Sequence, residues 1–466
     1  MKNKRTVVIK IIILGFMIVG LNCKKFITVD LPVDRLVSAN VFTSDASALA
    51  AVSGIYSSMM GSTFGYASAG MTLYPGLSSD EFDQYSSGSA QKEFILNALT
   101  PSNTIIKDLW SVPYNHIFSA NAAIEGLQNS NSLSTAIRNS LTGEAKFIRA
   151  FSHFYLVNLF GEVPVVTSLD FRINTRLPRS SKDEVYQQIL KDLKDAQNLL
   201  PADYSLSNNE RTRPNKWAAT ALLARVYLYM GDYVNAELQA TALINATGQF
   251  SLIANINNVF LKNSMEAIWQ LMPVRPNLNT NEGRYFILTS SPATVTPGIT
   301  ISNGLLAAFE PGDNRKLNWI NKYVSGNDTW YYPYKYKIKT STGTAFNEYY
   351  TVFRLAEIFL IRAEARAQQN KFIEAIADIN AIRQRAGLPN TTAGDKASTL
   401  LAIEQERRVE LFAEWGHRWF DLKRTNRAGV VLAPLKSSNW QITDLLYPLP
   451  QNQMNNDQNI VQNPGY

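Results

Sequence analysis

Two segments of the chain share one pattern of small and aromatic residues, and this repeat constrains the fold more than any other feature of the sequence. Residues 221–244 align without a gap with residues 360–383. In each segment an alanine, Ala224 or Ala363, lies on a first helix, a turn follows, and an aromatic residue opens a second helix. Small residues at facing positions allow two helices to approach closely, and the aromatic ring fills the space at the turn. The pattern therefore predicts helix pairs that stack on one another.

The rest of the chain also contains long helical patterns. Apolar residues recur at helical spacing over 44–60, 115–127, 144–160 and 181–200. Ser181 and Glu184 at the start of the last segment fit a capping box. The paired segments follow the logic of tetratricopeptide repeats. We therefore predict a mainly α fold, a tetratricopeptide-like helix-pair scaffold with long irregular loops and minor β structure.

Two regions interrupt the helical pattern. Residues 61–104 and 274–350 are rich in Gly, Ser, Thr, Asn, Pro and Tyr and have little helical periodicity. Irregular stretches of this length in a compact protein are usually functional or disordered. Their aromatic content favours order, so we expect these two regions to carry the ligand-binding loops.

The first 22 residues have the composition of an export signal. They contain four basic residues, no acidic ones, and an apolar run whose charge-free part, from Ile11, is about ten residues long, which is too short to span a bilayer. Cys23, the only cysteine in the chain, follows directly and favours lipidation, although Asn22 stands where such signals usually have a smaller residue. The alternative is an ordinary signal peptide with an incidental cysteine. We expect a lipoprotein signal peptide over 1–22, a lipid anchor at Cys23 and one mature domain over 23–466.

The charge distribution excludes nucleic acid as an expected partner. The formal charge of +7 includes four cations within the first 22 residues and is +3 without them. The remaining Lys and Arg residues are scattered, whereas nucleic-acid binding needs a concentrated basic face. Charged residues make up only 18% of the chain, which also has 21 Tyr and 22 Phe. This composition favours neutral ligands over polyanions.

The sequence offers little support for catalysis. His116, His153 and His417 have no second histidine at metal-ligand spacing, and the sequence contains no nucleophile elbow, phosphate loop or dinucleotide-binding motif. We predict that His116 and His153 pack in the core, and that the protein has no catalytic residue, no cofactor and no metal site. The enzymatic alternative is a glycoside hydrolase that uses the acidic loop at 80–83, where burial would have to raise the pKa of one carboxyl group.

Aromatic residues beside amides predict a carbohydrate-binding surface. Sugars have weakly apolar C–H faces that stack on aromatic rings, and hydroxyl groups that bind planar polar side chains, while a cluster of exposed aromatics usually marks an interaction site. The stretch 318–331 has this composition, and the loop around 80–85 is expected to form the opposite wall. The candidate stacking residues are Trp319, Trp330, Tyr331 and Tyr85, and the candidate hydrogen-bond partners are Asp80 and Asn327. The alternative is that part of this cluster packs in a sheet, since tyrosines and lysines alternate from Tyr332 onwards.

The segment 403–424 is dense in Glu and Arg. Glu404–Arg408 and Glu414–Arg418 are spaced four residues apart with Glu first, an arrangement that stabilises a helix by about 0.2–0.5 kcal/mol per pair. We predict that these residues form structural ion pairs rather than a functional charge cluster. Trp110, Trp217, Trp415 and Trp419 lie in helical segments and are predicted to be core residues.

Several segments, taken in order, resemble the SusD/RagB family of surface lipoproteins. The matching motifs are CKKFITVDLP at 23–32, WSVPYNHIFSANAAI at 110–124, EAKFIRAFSHFYLVNLFGEVPVV at 144–166, FRLAEIFLIRAEA at 353–365, IEQERRVELFAEWGHRWFDLKR at 403–424, YPLP at 447–450 and QNPGY at 462–466. These motifs extend over nearly the whole mature chain, and their joint order carries the resemblance.

The resemblance implies a function as well as a fold. It implies about four tetratricopeptide-like helix pairs that pack against a SusC-like, TonB-dependent transporter in the cell outer membrane. Loops away from the scaffold would bind a glycan or oligosaccharide without a catalytic step. The lipid-anchored, surface-exposed protein would then deliver this ligand to the transporter. The sequence is also compatible with a peptide-binding protein on the same scaffold, and with a plain repeat scaffold that binds only proteins.

Replacement of the lipidated cysteine should release the protein from the membrane. Cys23→Ala removes the only thiol that can carry acyl chains, and each buried CH₂ of such a chain contributes roughly 0.8 kcal/mol to membrane affinity. Immunoblots of fractionated cells should find the variant outside the sedimented membranes and the unchanged protein with the outer membrane. Sedimentation of the variant with outer membranes would argue against the anchor.

Overall fold

A computed structural model describes residues 41–61, 65–85, 88–436, 439–457 and 459–466. The predicted signal peptide and Cys23 lie outside these residues. The described residues form eighteen helices and six short strands, and this result confirms the predicted mainly α-helical scaffold with minor β structure.

Helices provide most of the described chain. In order they are α1 (Asp45–Gly61), α2 (Met71–Ser78), α3 (Ser89–Leu96), α4 (Thr104–Asn129), α5 (Thr135–Phe160), α6 (Phe171–Asn174), α7 (Lys182–Leu199), α8 (Lys216–Met230), α9 (Tyr233–Ile244), α10 (Asn281–Phe286), α11 (Asn303–Ala308), α12 (Asn314–Trp319), α13 (Leu355–Gln368), α14 (Phe372–Arg385), α15 (Lys396–Glu410), α16 (His417–Arg424), α17 (Ala428–Lys436) and α18 (Gln451–Asn456). The strands are β1 (Phe82–Gln84), β2 (Ala267–Leu271), β3 (Ile299–Ile301), β4 (Ile320–Ser325), β5 (Asp328–Pro333) and β6 (Tyr350–Arg354).

The long helices pack in sequence as one array. Short connections join α4 to α5, α8 to α9, and α13 to α14, and the two helices of each pair are in contact. Between these pairs, α7 contacts both α5 and α8, α9 contacts α13, and α15 contacts α13 and α14. Each pair therefore buries its apolar faces against its neighbours, as stacked helical repeats do.

The two repeated segments form neighbouring helix pairs, as the sequence predicts. Gly231 ends the first helix with φ +75°, and Asn370 takes the equivalent position with φ +63°; Gly and Asn are the residues that adopt this left-handed conformation most readily. Ala224 and Ala363 are completely buried, which is consistent with close approach of the helices.

Local signals also set the helix ends. Ser181 caps α7 by accepting a hydrogen bond from the backbone N–H of Glu184, whose side chain in turn accepts from the N–H of Ser181 at 2.8 Å. At the end of α5, Gly161 has φ +76° and its N–H donates to the carbonyl of Val157 at 3.0 Å. Both predicted boundaries are confirmed within one residue.

The core is centred on α5, which carries large apolar side chains on most of its faces. The ring of Phe151 lies 5.5 Å from the rings of both Trp269 and Trp415 and 6.1 Å from that of Phe353. Such aromatic pairs stabilise a protein by about 0.5–1.5 kcal/mol beyond their burial. The core therefore joins the helical array to the β2–β6 strand pair and to the segment before α16.

Most of the predicted core residues are confirmed. Trp110, Trp415 and Trp419 are buried, and Trp217 is partly buried against the core. His116 and His153 are also buried. Burial lowers the pKa of each histidine to about 4, so both are neutral at pH 7.

The strands form three antiparallel pairs, β1 with β3, β2 with β6, and β4 with β5. Every residue of β2 and β6 is buried, and β6 leads directly into α13. This pair therefore connects the array to the irregular region that precedes it.

Buried charges join the array to these strands. Arg354, at the end of β6, donates to Glu266 at 3.0 Å, to Glu410 at 2.6 Å and to Glu414 at 2.8 Å. Arg385 on α14 also pairs with Glu266 and Glu410. Hydrogen bonds of this ionic type are stronger than neutral ones, and they compensate for the loss of hydration.

Two more cations extend the same network towards the irregular regions. Arg315 on α12 pairs with Asp313, Glu406 and Glu410, and Lys335 pairs with Glu414. We name the network the buried charge cluster; its members are Glu266, Asp313, Arg315, Lys335, Arg354, Arg385, Glu406, Glu410 and Glu414.

The predicted ion pairing within segment 403–424 is wrong in its partners. Helix α15 ends at Glu410 and α16 begins at His417, so Glu414 and Arg418 do not lie on one helix. Glu414 pairs with Lys335 and Arg354, while Arg418 pairs with Asp80 and, at 3.3 Å, with Glu404. These residues are structural, but they connect distant segments instead of stabilising one helix.

Loss of one partner from a buried ion pair should destabilise the array. Arg225 on α8 donates from Nε and Nη2 to Glu357 on α13 at 2.7 and 2.6 Å, and both residues are buried. Glu357→Gln leaves the guanidinium without a counter-charge, which costs about 3–5 kcal/mol. Urea unfolding followed by circular dichroism measures this loss. Arg172→Gln, which breaks an exposed pair with Asp170, is the control and should leave the unfolding midpoint unchanged; an unchanged midpoint in Glu357→Gln would contradict the argument.

Candidate functional site

The two irregular regions meet at the short strands. Phe82 of β1 pairs with Ile301 of β3, and β3 also contacts β5. Beyond β1, the N–H of Tyr85 donates to the carbonyl of Gly298 at 3.0 Å. The loop around 80–85 and the aromatic stretch at 318–331 therefore lie next to each other in the fold.

The aromatic stretch forms a β-hairpin. Strands β4 and β5 are joined by a tight turn at Gly326 and Asn327, in which Gly326 has φ +59°. Glycine at the first position of a two-residue turn allows the twist that adjacent antiparallel strands require. Asn327 is exposed at the tip of this hairpin.

One face of the hairpin carries a pair of stacked rings. Tyr323 and Trp330 lie opposite each other on β4 and β5, with ring centroids 6.0 Å apart and ring planes inclined by 24°. Both are partly buried against a small cluster formed by Ile287, Leu288 and Tyr332. The cluster supports the rings from below, and their remaining surface is open to solvent.

The hairpin places two of the predicted ligand residues, Trp330 and Tyr331, on opposite faces. Successive side chains of a strand point to opposite faces, so Tyr331 faces away from the Tyr323–Trp330 pair. Tyr331 is 37% exposed, and Tyr85, beside the start of β3, is 49% exposed. The chain from Val295, which packs against the same cluster as Trp330, leads to Gly298 next to Tyr85. Tyr85 and Trp330 thus flank one chain segment, while Tyr331 lies on the other side of the hairpin.

The prediction that Trp319 stacks on a ligand is wrong. Its side chain is 0% exposed, and its indole N–H donates to the carbonyl of Ile256 at 3.0 Å. Lys335 of the buried charge cluster lies 4.8 Å from the ring centroid, and the guanidinium groups of Arg354 and Arg385 each lie 5.7 Å from it. The ring is attractive to cations because its face is negative. Trp319 therefore anchors the start of the hairpin from within.

The prediction that Asp80 binds ligand hydroxyl groups is also contradicted. Its carboxylate accepts from Arg418 Nε and from Arg408 Nη2, each at 2.7 Å, and its side chain is buried. Burial alone would raise the pKa of Asp80, but the hydrogen bond and charge of Arg418, together with the charge of Arg408, hold it below its usual value. Asp80 is therefore an ionised structural residue that joins the first irregular region to α15 and α16.

The two other acidic residues of the loop, Glu81 and Asp83, differ in exposure. Glu81 is buried, and burial together with the charge of Asp80 raises its pKa to about 8. Asp83 is exposed on β1. Since Asp80 is held ionised, it is unsuited to donate a proton as a general acid at neutral pH.

Polar residues that the sequence did not indicate lie next to this loop: Ser302, Asn303, Lys436 and Asn439. Together with Asp80 and Asp83 of the loop and apolar residues such as Leu96, they line a cavity of about 480 Å³ between β1, the end of α3 and the end of α17. The ammonium group of Lys436 donates to the carbonyl of Leu77 at 2.9 Å. Burial lowers the pKa of Lys436 to about 8, against the opposing effect of Asp80 and Asp83. These residues come from distant parts of the chain, and no local pattern marks them.

Two negative findings apply to the described residues. No group of three or more His, Cys, Asp or Glu side chains in the described ranges is arranged to hold a metal ion. Among the same residues, no helix has both the length and the apolar composition needed to cross a membrane.

Comparison with known proteins identifies the family. Residues 67–228 match the family described as "Starch-binding associating with outer membrane", and residues 314–466 match the SusD family. The chain belongs to the SusD/RagB family. This result confirms the resemblance of the ordered motifs.

Individual relatives extend over most of the chain. SusD-like protein P38 of Formosa agariphila is 28% identical over 434 residues, which cover 80% of this chain and 83% of the relative. Starch-binding protein SusD of Bacteroides thetaiotaomicron is 25% identical, over 69% and 72% of the two chains. Both relatives therefore match along most of their own length.

Solved structures share the fold. A SusD superfamily protein from Parabacteroides distasonis superposes with a TM-score of 0.77 at 24% identity, over 93% of this SusD-family chain and all of the other. A protein described as a laminarin-binding SusD-like protein superposes with a TM-score of 0.76 at 25% identity, over 91% of this chain and all of the other. The helical array and its strands are thus those of the SusD superfamily.

Substitution of the buried Trp319 should lower the free energy of unfolding far more than substitution of the exposed Tyr331. Trp319→Ala removes a completely buried ring, and such a change typically costs about 3–5 kcal/mol. Tyr331→Ala on the exposed side of the same hairpin should change the free energy of unfolding by less than about 1 kcal/mol. Urea unfolding of the two variants tests this difference, and equal midpoints would show that Trp319 is not an anchor.

Proposed function

We propose that this SusD-family protein binds a glycan or oligosaccharide on the surface formed by β1, the 285–298 segment and the β4–β5 hairpin. The observation that carries the proposal is the Tyr323–Trp330 ring pair, which is held on a supporting cluster while part of its surface stays open. Partly exposed aromatic rings that cannot collapse into the core suit stacking against the C–H face of a sugar.

The exposed hairpin tip and the residue that follows β1 would supply the remaining ligand contacts. Asn327 is exposed at the hairpin tip, and its amide can both donate and accept hydrogen bonds. Tyr85 offers a second exposed ring across the 295–298 segment. We assign Trp330 and Tyr85 to stacking and Asn327 to hydrogen bonding, with Tyr331 as a further contact for a ligand long enough to pass over the hairpin.

The properties of relatives support the choice of ligand class. One family that matches this chain is described as starch-binding, and one structural relative is described as binding laminarin. Both descriptions concern neutral glucans, which agrees with the low charge content of this chain. A peptide ligand on the same scaffold is the second candidate.

We further propose that the protein acts at the cell surface without altering its ligand. Lipidation at Cys23 would hold it on the outer membrane, where it would deliver the glycan to a SusC-like, TonB-dependent transporter. A tagged protein purified from detergent-solubilised outer membranes should bring a large β-barrel protein with it. Failure to recover such a partner under mild extraction would remove the delivery step from the proposal.

Calorimetry of the mature protein against a glycan panel and a peptide panel tests the ligand class. Glycan binding alone supports the proposal, whereas peptide binding alone supports the second candidate. Each sugar is also incubated with the protein and the products are analysed. Turnover that disappears in Asp83→Asn or Glu81→Gln would show that the acidic loop is catalytic and would overturn the binding-only function.

Removal of the supported ring should weaken glycan binding without unfolding the protein. A central aromatic residue often contributes about 2 kcal/mol or more to binding, so Trp330→Ala should raise the dissociation constant at least roughly tenfold, and Tyr85→Ala and Asn327→Ala should have smaller effects. Phe171→Ala, which removes a 72% exposed ring from α6, is the matched control and should leave affinity unchanged. Unchanged affinity in Trp330→Ala would remove the hairpin from the binding surface.

A further inference from the structure

A second cavity, of about 470 Å³, lies on another part of the molecule. It is enclosed by the end of α5, the start of α7, α16 and the turn at 442–446. Apolar side chains form much of its wall, among them Val157, Phe420, Leu445 and Leu446. Its size falls within the range of cavities that bind small molecules.

The charged residues of this cavity are all cations. Lys182, Lys423 and Arg424 line it, and none of the described residues that line it is Asp or Glu. Arg424 is neutralised, since it pairs with Glu364 at 2.7 Å and with Asp421 at 2.8 Å. The two lysines form no ion pair with a described carboxylate: the ammonium group of Lys423 donates to the backbone carbonyl of Asn158, and Lys182 is exposed.

Most carboxylates on the surrounding elements have other partners. On α7, Glu184 accepts from the N–H of Ser181, whereas the exposed Asp183 lines a neighbouring hollow that Lys182 also lines. Asp444 in the 442–446 turn accepts from the N–H of Gln441 at 2.7 Å, and Asp421 on α16 is held by Arg407 and Arg424. The wall of the cavity therefore carries no described carboxylate beside Lys423.

The pKa of Lys423 reflects the same lack of negative charge in the cavity. Burial, and then the charge of Lys182, lower its pKa to about 7. A group whose charged form is disfavoured in this way gains most from an opposite charge placed beside it. An anion in the cavity would therefore be drawn to the two ammonium groups.

We propose that this cavity binds a small organic anion, whose carboxylate or other oxyanion group lies between Lys182 and Lys423 while its apolar body packs against Phe420, Leu445 and Leu446. The oxyanion supplies the charge that the cavity lacks, and the apolar wall excludes water from the contact and so strengthens it. A neutral molecule of the same shape would gain only the apolar contact. None of the residues that line this cavity belongs to the aromatic hairpin.

Benzoate is the probe, because it combines a carboxylate with a compact apolar ring. Its neutral isostere benzamide and inorganic sulfate are the comparison ligands, and titration of the mature protein followed by calorimetry gives the affinities. We expect saturable benzoate binding, at least about tenfold weaker binding of benzamide, and weaker binding of sulfate. Because the charged form of Lys423 binds the anion, benzoate affinity should fall as the pH rises from 6 to 9.

Two variants test whether the anion lies between Lys182 and Lys423. Lys423→Met keeps the aliphatic stem and removes the charge, and Lys182→Gln changes an exposed residue that lines the cavity. Each should weaken benzoate binding at least about tenfold, while Lys194→Gln, an exposed position further along the same helix, should not. Equal binding of benzamide and benzoate, or unchanged affinity in both cavity variants, would overturn the proposal. Sulfate binding as tight as benzoate binding would show that the apolar body is not recognised, and would overturn the proposal of an organic ligand.

Discussion

The buried charge cluster fixes how the irregular regions sit on the helical array. Arg354 on β6, Arg385 on α14 and Arg315 on α12 all pair with Glu410 at the end of α15. The carboxylates and cations of this cluster have been removed from water, so each one is stable only while its partners stay in place. Displacement of one segment would leave uncompensated charges in the interior. The cluster therefore adds an electrostatic constraint to the apolar contacts that these elements already make.

One short part of the chain, the end of α15 with the start of α16, holds both irregular regions. Arg408 and Arg418 bind Asp80 from the first region, and Glu414 binds Lys335 from the second. Trp319 lies between the cluster cations and the first strand of the hairpin. The loops can thus remain irregular and polar at the surface, because ion pairs fix the residues where the loops join the helical array. A fixed, preformed surface reduces the entropy lost when a flexible oligosaccharide binds.

Local sequence signals predicted the helices well, because the information lies within a few residues. The capping box at Ser181 and Glu184, the Gly231 turn and the repeated alanines all act over one or two helical turns. The candidate site was predicted less well, because exposure depends on contacts between distant segments. Trp319 and Trp330 have similar sequence surroundings, yet Trp319 points into the charge cluster and Trp330 lies on a supported surface. Likewise, four-residue spacing suggested a partner for Glu414, but its actual partners lie 60 and 79 positions away.

We propose that a fixed helical array presents the loops and that a ligand contacts the loops alone. Hydrogen–deuterium exchange of the mature protein, with and without the tightest glycan from the calorimetry panel, tests it most directly. We expect bound glycan to slow exchange at 82–85, 285–298 and 320–331 and to leave exchange in the paired helices unchanged. Slower exchange along α8, α9, α13 and α14 with no change in the hairpin would contradict it.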